Sequence, residues 1–502
     1  MTTALLEAFW AYERALMADD VAELDRLFAP GPTTLRGDAE GLLVGHDAIA
    51  AFRAVRGGAP ARRIVATHVR TIDDDHALVV AVTEPERGGR GQQTQLWVRG
   101  EAGWQVVAAH VSGPAPALDR RVWRVVGDPL VAATASGPLA GRRVAVKDLV
   151  AVAGHRIGAG NPAWLAAAEP EAAHARVVAA LLAAGADVTG IARTDELAWS
   201  LAGTNVHTGT PPNPRAPHRI SGGSSSGPAS AVSLGHADIG LATDTGGSIR
   251  VPAAYQGLAG HRPTHGVVST RGVLPLAPSF DTVGWLTRDP ELLAAVGDVL
   301  LPADTADLAP EPDLVQDPGL TALAAPEVAQ AVQSWAAARG ARRLEGPIGP
   351  VAEWRAAFST LQGWEAVREH GEWAAAHAAD LGPDVRGRFE RAARTTAAEA
   401  DRARAVVASA RELLREVLGD RVLVLPAAPT TAPRLGADLA PVREATLALT
   451  CVAGVAGVPA VTLPLTAADG LPCGVSLVGP AGSDRALLAL ATRLAATGRT
   501  GT

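Results

Sequence analysis

Ser221-Gly-Gly-Ser-Ser-Ser-Gly227, followed by Thr243-Asp-Thr-Gly-Gly-Ser-Ile-Arg250, is the stretch on which the reading of this 502-residue chain turns. Taken alone, a Ser/Gly run is a linker composition. Its neighbours argue for a fixed loop. Pro211, Pro212, Pro214 and Pro217 stiffen the approach. A helix-like segment, Ala229–Leu234, begins just after the run, and the apolar stretch Asp238–Thr243 reads as a buried strand leading into a second Gly-Gly-Ser. Similar alternation surrounds it: Val144–Val146 reads as strand, Ala172–Ala184 as a helix stopped by Gly185, Val188–Ala192 as strand and Asp195–Leu201 as helix. Alternating strands and helices predict an α/β domain with helices covering a sheet. Residues 296–420 read as mostly helical, with Trp335, Trp354, Trp364 and Trp373 as core or pocket wall.

The Gly-Gly-Ser pieces have a chemical use. Glycines before a serine let backbone N–H groups turn inward around a small volume. Inward N–H groups beside a hydroxyl are what the oxyanion of a tetrahedral intermediate needs. Thr245, Gly246, Gly247 and Ser248 therefore read as an oxyanion loop that carries its own nucleophile. A serine hydroxyl needs a base. The last histidine is His377, too early for the Ser-His-Asp order of a hydrolase of that type. Lysine is the available base. Of 45 basic residues one is lysine, Lys147, at the end of the strand-like Val144-Ala-Val-Lys147. Arginine stays protonated, whereas a buried lysine can lose its proton, so a lone lysine marks a place where arginine will not serve. A rival reading, the nucleophile elbow G-x-S-x-G centred on Ser225, requires a strand before it and a late histidine; here a proline-rich loop precedes it.

Lys147-Asp148, Gly222-Gly-Ser-Ser225 and Asp244-Thr-Gly-Gly-Ser-Ile-Arg250, with Ser224 and Ser248 24 residues apart, resemble the amidase signature family. The likeness continues through Gly260–Gly266, Phe280–Gly284, Leu447–Pro464 and Pro472–Leu488, and it looks most like the indoleacetamide hydrolase subgroup. It implies a mixed central sheet covered by helices. It also implies Ser248 as acyl nucleophile, Ser224 on a cis peptide as proton relay and Lys147 as neutral base, with Ser225, Asp244 and Arg250 as supports. The reaction implied is hydrolysis of a linear amide to acid and ammonia through an acyl-enzyme, with no cofactor and no metal.

Residues 1–112 read as a small α+β unit: helices over Leu5–Leu16 and Val21–Phe28, then strands near 63–71, 76–84, 93–99 and 104–111. The segment Gly113–Leu118 reads as linker, extended to 113–135, before a main domain over 136–502. Phe9-Trp-Ala-Tyr-Glu-Arg-Ala-Leu16, Thr33-Thr-Leu-Arg36, Ala50-Ala-Phe-Arg-Ala54 and Trp104–Val111 resemble the NTF2-like cone fold, and within it the dicarboxyurea hydrolase of cyanuric acid degradation. That likeness implies a pocket faced by Tyr12 and Arg36, where a guanidinium could grip a carboxylate.

Composition bounds the rest. A chain 48% hydrophobic and 19% charged is globular rather than disordered. A formal charge of −7 gives no basic excess for nucleic acid. The start lacks a basic region followed by an apolar run, so no signal peptide is read, and Gly, Pro or polar residues interrupt every apolar stretch, so no membrane span is read. Two cysteines, Cys451 and Cys473, allow one disulfide at most, which makes a reducing cytoplasm the expected location. The expected partner is a small-molecule amide, and a homodimer is the assembly a cone domain favours. Two other functions fit the same residues. One is hydrolysis of a carboxylated urea or biuret, with the front domain adding a second site. The other is a non-catalytic amidase-like scaffold, which ordinarily shows damage to the nucleophile or lysine, and neither is damaged here.

Overall fold

Whether a run of apolar residues becomes strand or helix is settled by what covers it, and in the larger part of this chain both faces of the central strands are covered. The computed structural model describes residues 2–38, 41–56, 58–59, 61–86, 88–112, 119–303 and 306–496. The chain divides into two units, Met1–Ala117 and Leu118–Thr502.

In the front unit the helix Thr2–Ala18 buries Leu5, Phe9, Tyr12, Ala15 and Leu16, the stripe expected of a helix lying on a core. Arg62–Thr71, His76–Pro85, Gly91–Gly100 and Gly103–Ser112 form an antiparallel sheet in which buried residues alternate along the two middle strands. The sequence reading anticipated these four strands and both opening helices. It did not anticipate Leu35–Asp38, Gly41–Val44 or the helix His46–Arg56. Each of these two strands has four residues, too few to display alternation, and they extend the sheet by parallel pairing of Leu35–Asp38 with Gly103–Ser112. The helix buries Ile49 and, unusually, Arg53. The linker expected at Gly113–Leu118 lies outside the described residues.

The larger unit is built on an eleven-stranded sheet among the described residues. At its centre Ile239–Asp244 pairs with Arg143–Lys147 in parallel and with Thr282–Thr287 in antiparallel, and Arg143–Lys147 pairs in parallel with Asp187–Ala192. Ile239–Asp244 and Thr282–Thr287 are buried at every residue, so they read as continuous apolar runs rather than alternating ones. On the other side the sheet continues through Ala259–Arg262, Ala460–Thr466, Pro472–Val478 and Val422–Pro426. The mixed pairing and helical cover match the expected α/β architecture. Residues 296–420 are mostly helical, as expected, dominated by Val351–Ala376, Pro383–Ala392 and Ala397–Leu418.

Two assignments are corrected. The linker expected to run to residue 135 does not: Trp123–Val131 is an edge strand of the large sheet, paired antiparallel with Asp187–Ala192. Asp195–Leu201 is not an α-helix. It holds a single 3-10 turn, Glu196–Ala198, in which Leu197 and Ala198 have φ of 47° and 58°, a conformation that ends regular helix. Cys451 and Cys473 are both free and buried. No helix among the described residues is long and apolar enough to cross a membrane.

Leu241, fully buried in the central strand, is the natural probe of this core. Leu241→Ala is expected to cost about 2–5 kcal/mol, read as a lower denaturation midpoint in urea with an unchanged slope.

Candidate active site

Arg143–Lys147 and Ile239–Asp244 run parallel, so their carboxyl ends deliver Lys147 and the loop after Asp244 to the same edge of the sheet. Open α/β sheets place ligands at such ends. Lys147 is fully buried. Its Nζ lies 2.9 Å from Ser224 Oγ, 3.0 Å from Ser225 Oγ and 2.8 Å from Thr243 Oγ1. Burial drives its pKa down from 10.5 to about 7, against the pull of the carboxylates of Asp195, Asp244 and Asp281. A neutral amine has two N–H bonds and one lone pair. Ser225 Oγ donates its own hydrogen to Thr243 O at 3.1 Å, so towards Nζ it can only accept. Thr243 Oγ1 can take the second N–H, and the lone pair is then left for the hydroxyl of Ser224.

Ser224 sits between two fixed points. The Gly223–Ser224 peptide is cis. The Ser224 carbonyl accepts from Thr194 Oγ1 at 2.9 Å and from the Asp195 amide at 3.1 Å. Gly223 has no room for a side chain: a Cβ there would stand 2.3 Å from Asp195 Oδ2. Ser225 follows as the cap of the helix Ser226–Ser233, and its amide donates to the Ser248 carbonyl at 3.3 Å, tying the two serine loops together.

The loop that carries Ser248 is shaped by one carboxylate. Asp244 Oδ1 accepts from the Gly247 amide, Arg250 Nη2 and Arg262 Nη1 at 2.8–2.9 Å. Its Oδ2 accepts from the Ile249 amide and Arg250 Nε, both at 3.1 Å. Asp244 is fully buried, and the two guanidiniums hold it far below the usual carboxylate range in spite of that burial. Gly247 has φ of +119°, and a Cβ there would meet Thr450 Cγ2 at 2.8 Å, so only glycine fits. The Gly247 amide is therefore committed to Asp244 and not free for an oxyanion, which refines the expectation for this residue. Among the described residues no protein acceptor takes the amides of Thr245, Gly246 or Ser248. The opposite face of the loop is braced by Thr450 Oγ1, which donates to the Gly246 carbonyl at 2.7 Å, and by Thr245 Oγ1, which donates to Asp281 Oδ1 at 2.5 Å.

Lys147, Ser224, Ser225, Asp244, Ser248 and Arg250 thus converge on one edge of the sheet, as the sequence suggested. Thr243, Arg262, Asp281 and Thr450 were missed as parts of it. Arg262, Asp281 and Thr450 lie in stretches whose likeness was noted without a role, Thr450 on a helix two hundred residues on.

A profile of the family described as Amidase matches residues 128–330 and 359–488. The chain belongs to the Amidase family. Among its relatives, "Amidase 1" of Arabidopsis thaliana is 37% identical over 403 residues, spanning 72% of this chain and 95% of that one. The "2-amino-5-chloromuconic acid deaminase" of Comamonas testosteroni is 34% identical, spanning 71% of this chain and 81% of that one. A chain from a solved structure, described as a vestigial protein complex that reveals the origins of an s-triazine catabolic enzyme, superposes with a TM-score of 0.68 at 30% identity, covering 72% of this chain and 85% of that one. Carbon–nitrogen bond hydrolysis is the activity at the level of the Amidase family.

Ser248 opens into a narrow pocket of this Amidase domain, beside Trp199, Gln362, Arg443 and Leu447. A cavity of about 480 Å³ adjoins it through Ser200, Leu201 and Arg443, which border both. In the helical region 296–420, Trp335, Trp354, Trp364 and Trp373 were expected as core or pocket wall. That region supplies Gln362, Gly382 and part of Pro383–Ala392 to these two spaces and none of the four tryptophans, while the remaining walls come from residues 196–206, Ile220, 245–255 and 433–447.

Residues 1–115 match the profile described as AtzH-like. Tyr12 and Arg36 lie in the interior of that unit. Tyr12 packs against Phe28 and Trp97, and burial raises its pKa while Arg53, Arg62 and Arg36 draw it back. The Arg36 guanidinium is already engaged, 2.8 Å from Asp38 and over the Phe52 ring.

Replacing Asp244 isolates the loop's dependence on its charge. Asp244→Asn leaves two buried guanidiniums without their anion, and the expected loss of stability is about 3–5 kcal/mol, measured by urea unfolding.

Proposed function

We propose that this protein hydrolyses a linear carboxylic amide to the acid and ammonia through an acyl-enzyme on Ser248. The observation that carries the reading is the fully buried Lys147 with its Nζ 2.9 Å from Ser224 Oγ. Lysine held near neutrality is a base, and a base with a serine relay is what an unactivated hydroxyl lacks.

The lone pair of Lys147 accepts the proton of Ser224 as Ser224 accepts that of Ser248, and Ser248 Oγ attacks the amide carbonyl. The oxyanion that forms is held by free amides of the Thr245–Ser248 loop, those of Thr245, Gly246 and Ser248, with Gly247 serving to bend it. As the tetrahedral intermediate collapses, the C–N bond breaks and the relay returns the proton to the leaving nitrogen. Water then attacks the acyl-serine by the same relay, releasing the acid and restoring Ser248. The ring of hydroxyls around Nζ supports the lysine in either protonation state, which lets the proton come and go without rebuilding the site. A cytoplasmic setting is part of the same reading.

Because Lys147 acts only when neutral, log kcat/KM for ammonia release is expected to fall by about one per pH unit below an ionisation near pH 7 and to level off above it. A flat profile across pH 5–9 is incompatible with this role. Lys147→Arg is expected to lose about 10²–10⁴-fold in kcat, as much as Lys147→Ala, because a guanidinium cannot be the base. Ser248→Ala should leave no ammonia release above background, whereas a variant that retained turnover would move the chemistry away from this loop.

A further inference from the structure

Most buried arginines of the Amidase domain have a carboxylate: Arg250 and Arg262 share Asp244, and Arg124 holds Asp148. The cavity next to Ser248 departs from that pattern. Arg388 and Arg391, one turn apart on the helix Pro383–Ala392, line it together with Arg443 from the first turn of the helix Ala440–Ala456. Among the described residues no carboxylate lies within ion-pair distance of any of the three, and Arg388 Nη1 is buried without a hydrogen-bond partner. The three are close enough to repel. Burial and then Arg443 bring the Arg388 pKa down to about 10, and burial and then Arg391 lower that of Arg443. In addition, a cation in the first turn of a helix opposes the helix dipole.

The acids around the cavity do not complete these cations. Glu196 is occupied: its Oε1 lies 2.7 Å from Asn161 Nδ2 and 2.7 Å from His207 Nε2, and its Oε2 accepts from the Gly382 amide at 3.0 Å. Asp438 caps the Ala440 amide. Asp384 acts on Arg388 and Arg443 only at a distance, as do Asp195 on Arg388 and Glu444 on Arg443. Arg355 adds a further positive charge on Arg443. Arg388 and Arg443 are half-buried and Arg391 is exposed; a partly desolvated, mutually repelling pair of guanidiniums is costly unless an anion joins it.

Arg443 fixes where that anion belongs, because it borders both this cavity and the narrow pocket that holds Thr245, Gly246 and Ser248. We propose that the amide cleaved at Ser248 carries a carboxylate at its other end, gripped by Arg443 and Arg388 in the adjoining cavity. This rests on Ser248 being the acyl nucleophile and narrows the substrate class to acid amides. A guanidinium matches a carboxylate bidentately. Arg443 then sets the distance between the scissile carbonyl and the acid.

The test uses the full chain and a fluorophosphonate probe that labels an activated serine. The rate of Ser248 labelling is followed with malonamate, succinamate or glutaramate present, with uncharged alkyl amides of the same chain length, and with inorganic phosphate. At least one acid amide is expected to protect Ser248 at a concentration at least about tenfold lower than its uncharged counterpart, from the strength of a charge-assisted hydrogen bond. In Arg443→Gln the protecting concentration should rise about 10–100-fold, and Arg443→Lys should recover part of the loss, charge without the fork. Arg388→Leu should weaken protection in the same direction and guards against a misfolded Arg443 variant. Equal protection by charged and uncharged amides overturns the carboxylate proposal and leaves Ser248 as nucleophile. Protection by phosphate matching that by every acid amide also overturns it, assigning the cluster to phosphate. Failure of the probe to label Ser248 in the unaltered protein overturns the reading on which the proposal stands.

Discussion

The carboxylate of Asp244 is the interaction on which the site depends. Five hydrogen bonds of 2.8–3.1 Å converge on it, from two loop amides and two guanidiniums. They join a strand end, a loop, the start of a helix and a strand two places along the sheet in one charged centre. A buried anion with two buried cations is not an efficient way to stabilise a core, since the desolvation of the three groups offsets most of their attraction. What it achieves is position. With both oxygens occupied, the backbone between Asp244 and Arg250 has one conformation available, and the carbonyl and amide directions at Gly246 and Ser248 follow from it.

The same electrostatics frame Lys147. Three carboxylates, Asp195, Asp244 and Asp281, favour its charged form, and burial favours the neutral one by more. The Asp244 charge is largely spent on Arg250 and Arg262, and Asp195 is held by the Gly203 amide and Ser226 Oγ. Neither is free to turn towards the amine and lock it as an ammonium. The lysine therefore meets neutral hydroxyls at hydrogen-bond distance, and carboxylates only beyond it.

Much of this was legible in the sequence because it is local. Gly222–Ser225 and Asp244–Arg250 are short pieces whose composition states their chemistry, and Lys147 stands out as the one lysine among 45 basic residues. The strands that present them read as buried apolar runs. What escaped is non-local or short. Arg443 reaches the site from the start of a late helix whose sequence there is ordinary, and Thr450, though in a stretch of noted likeness, carried no role. Arg388 looks like part of a solvated helix face until the cavity wall half-covers it, while Arg391 beside it stays exposed. The capture of the Gly247 amide by Asp244 depends on a backbone turn that residue types alone do not specify. The turn at Glu196–Ala198 was read as helix because Leu197 and Ala198 are good helix formers; tertiary packing put both at positive φ. In the front unit, Leu35–Asp38 and Gly41–Val44 carry too few residues to show a period.

A chain with one lysine, and that one fully enclosed, has an uncommon surface. An endoprotease that cuts only after lysine finds a single target bond, and it finds it only when the sheet edge carrying Lys147 comes apart. Cleavage at that bond is consequently a clock for opening of this part of the sheet, set by the population of the opened form when reclosing outruns the protease. The proposed base is thereby also the reporter of its own exposure.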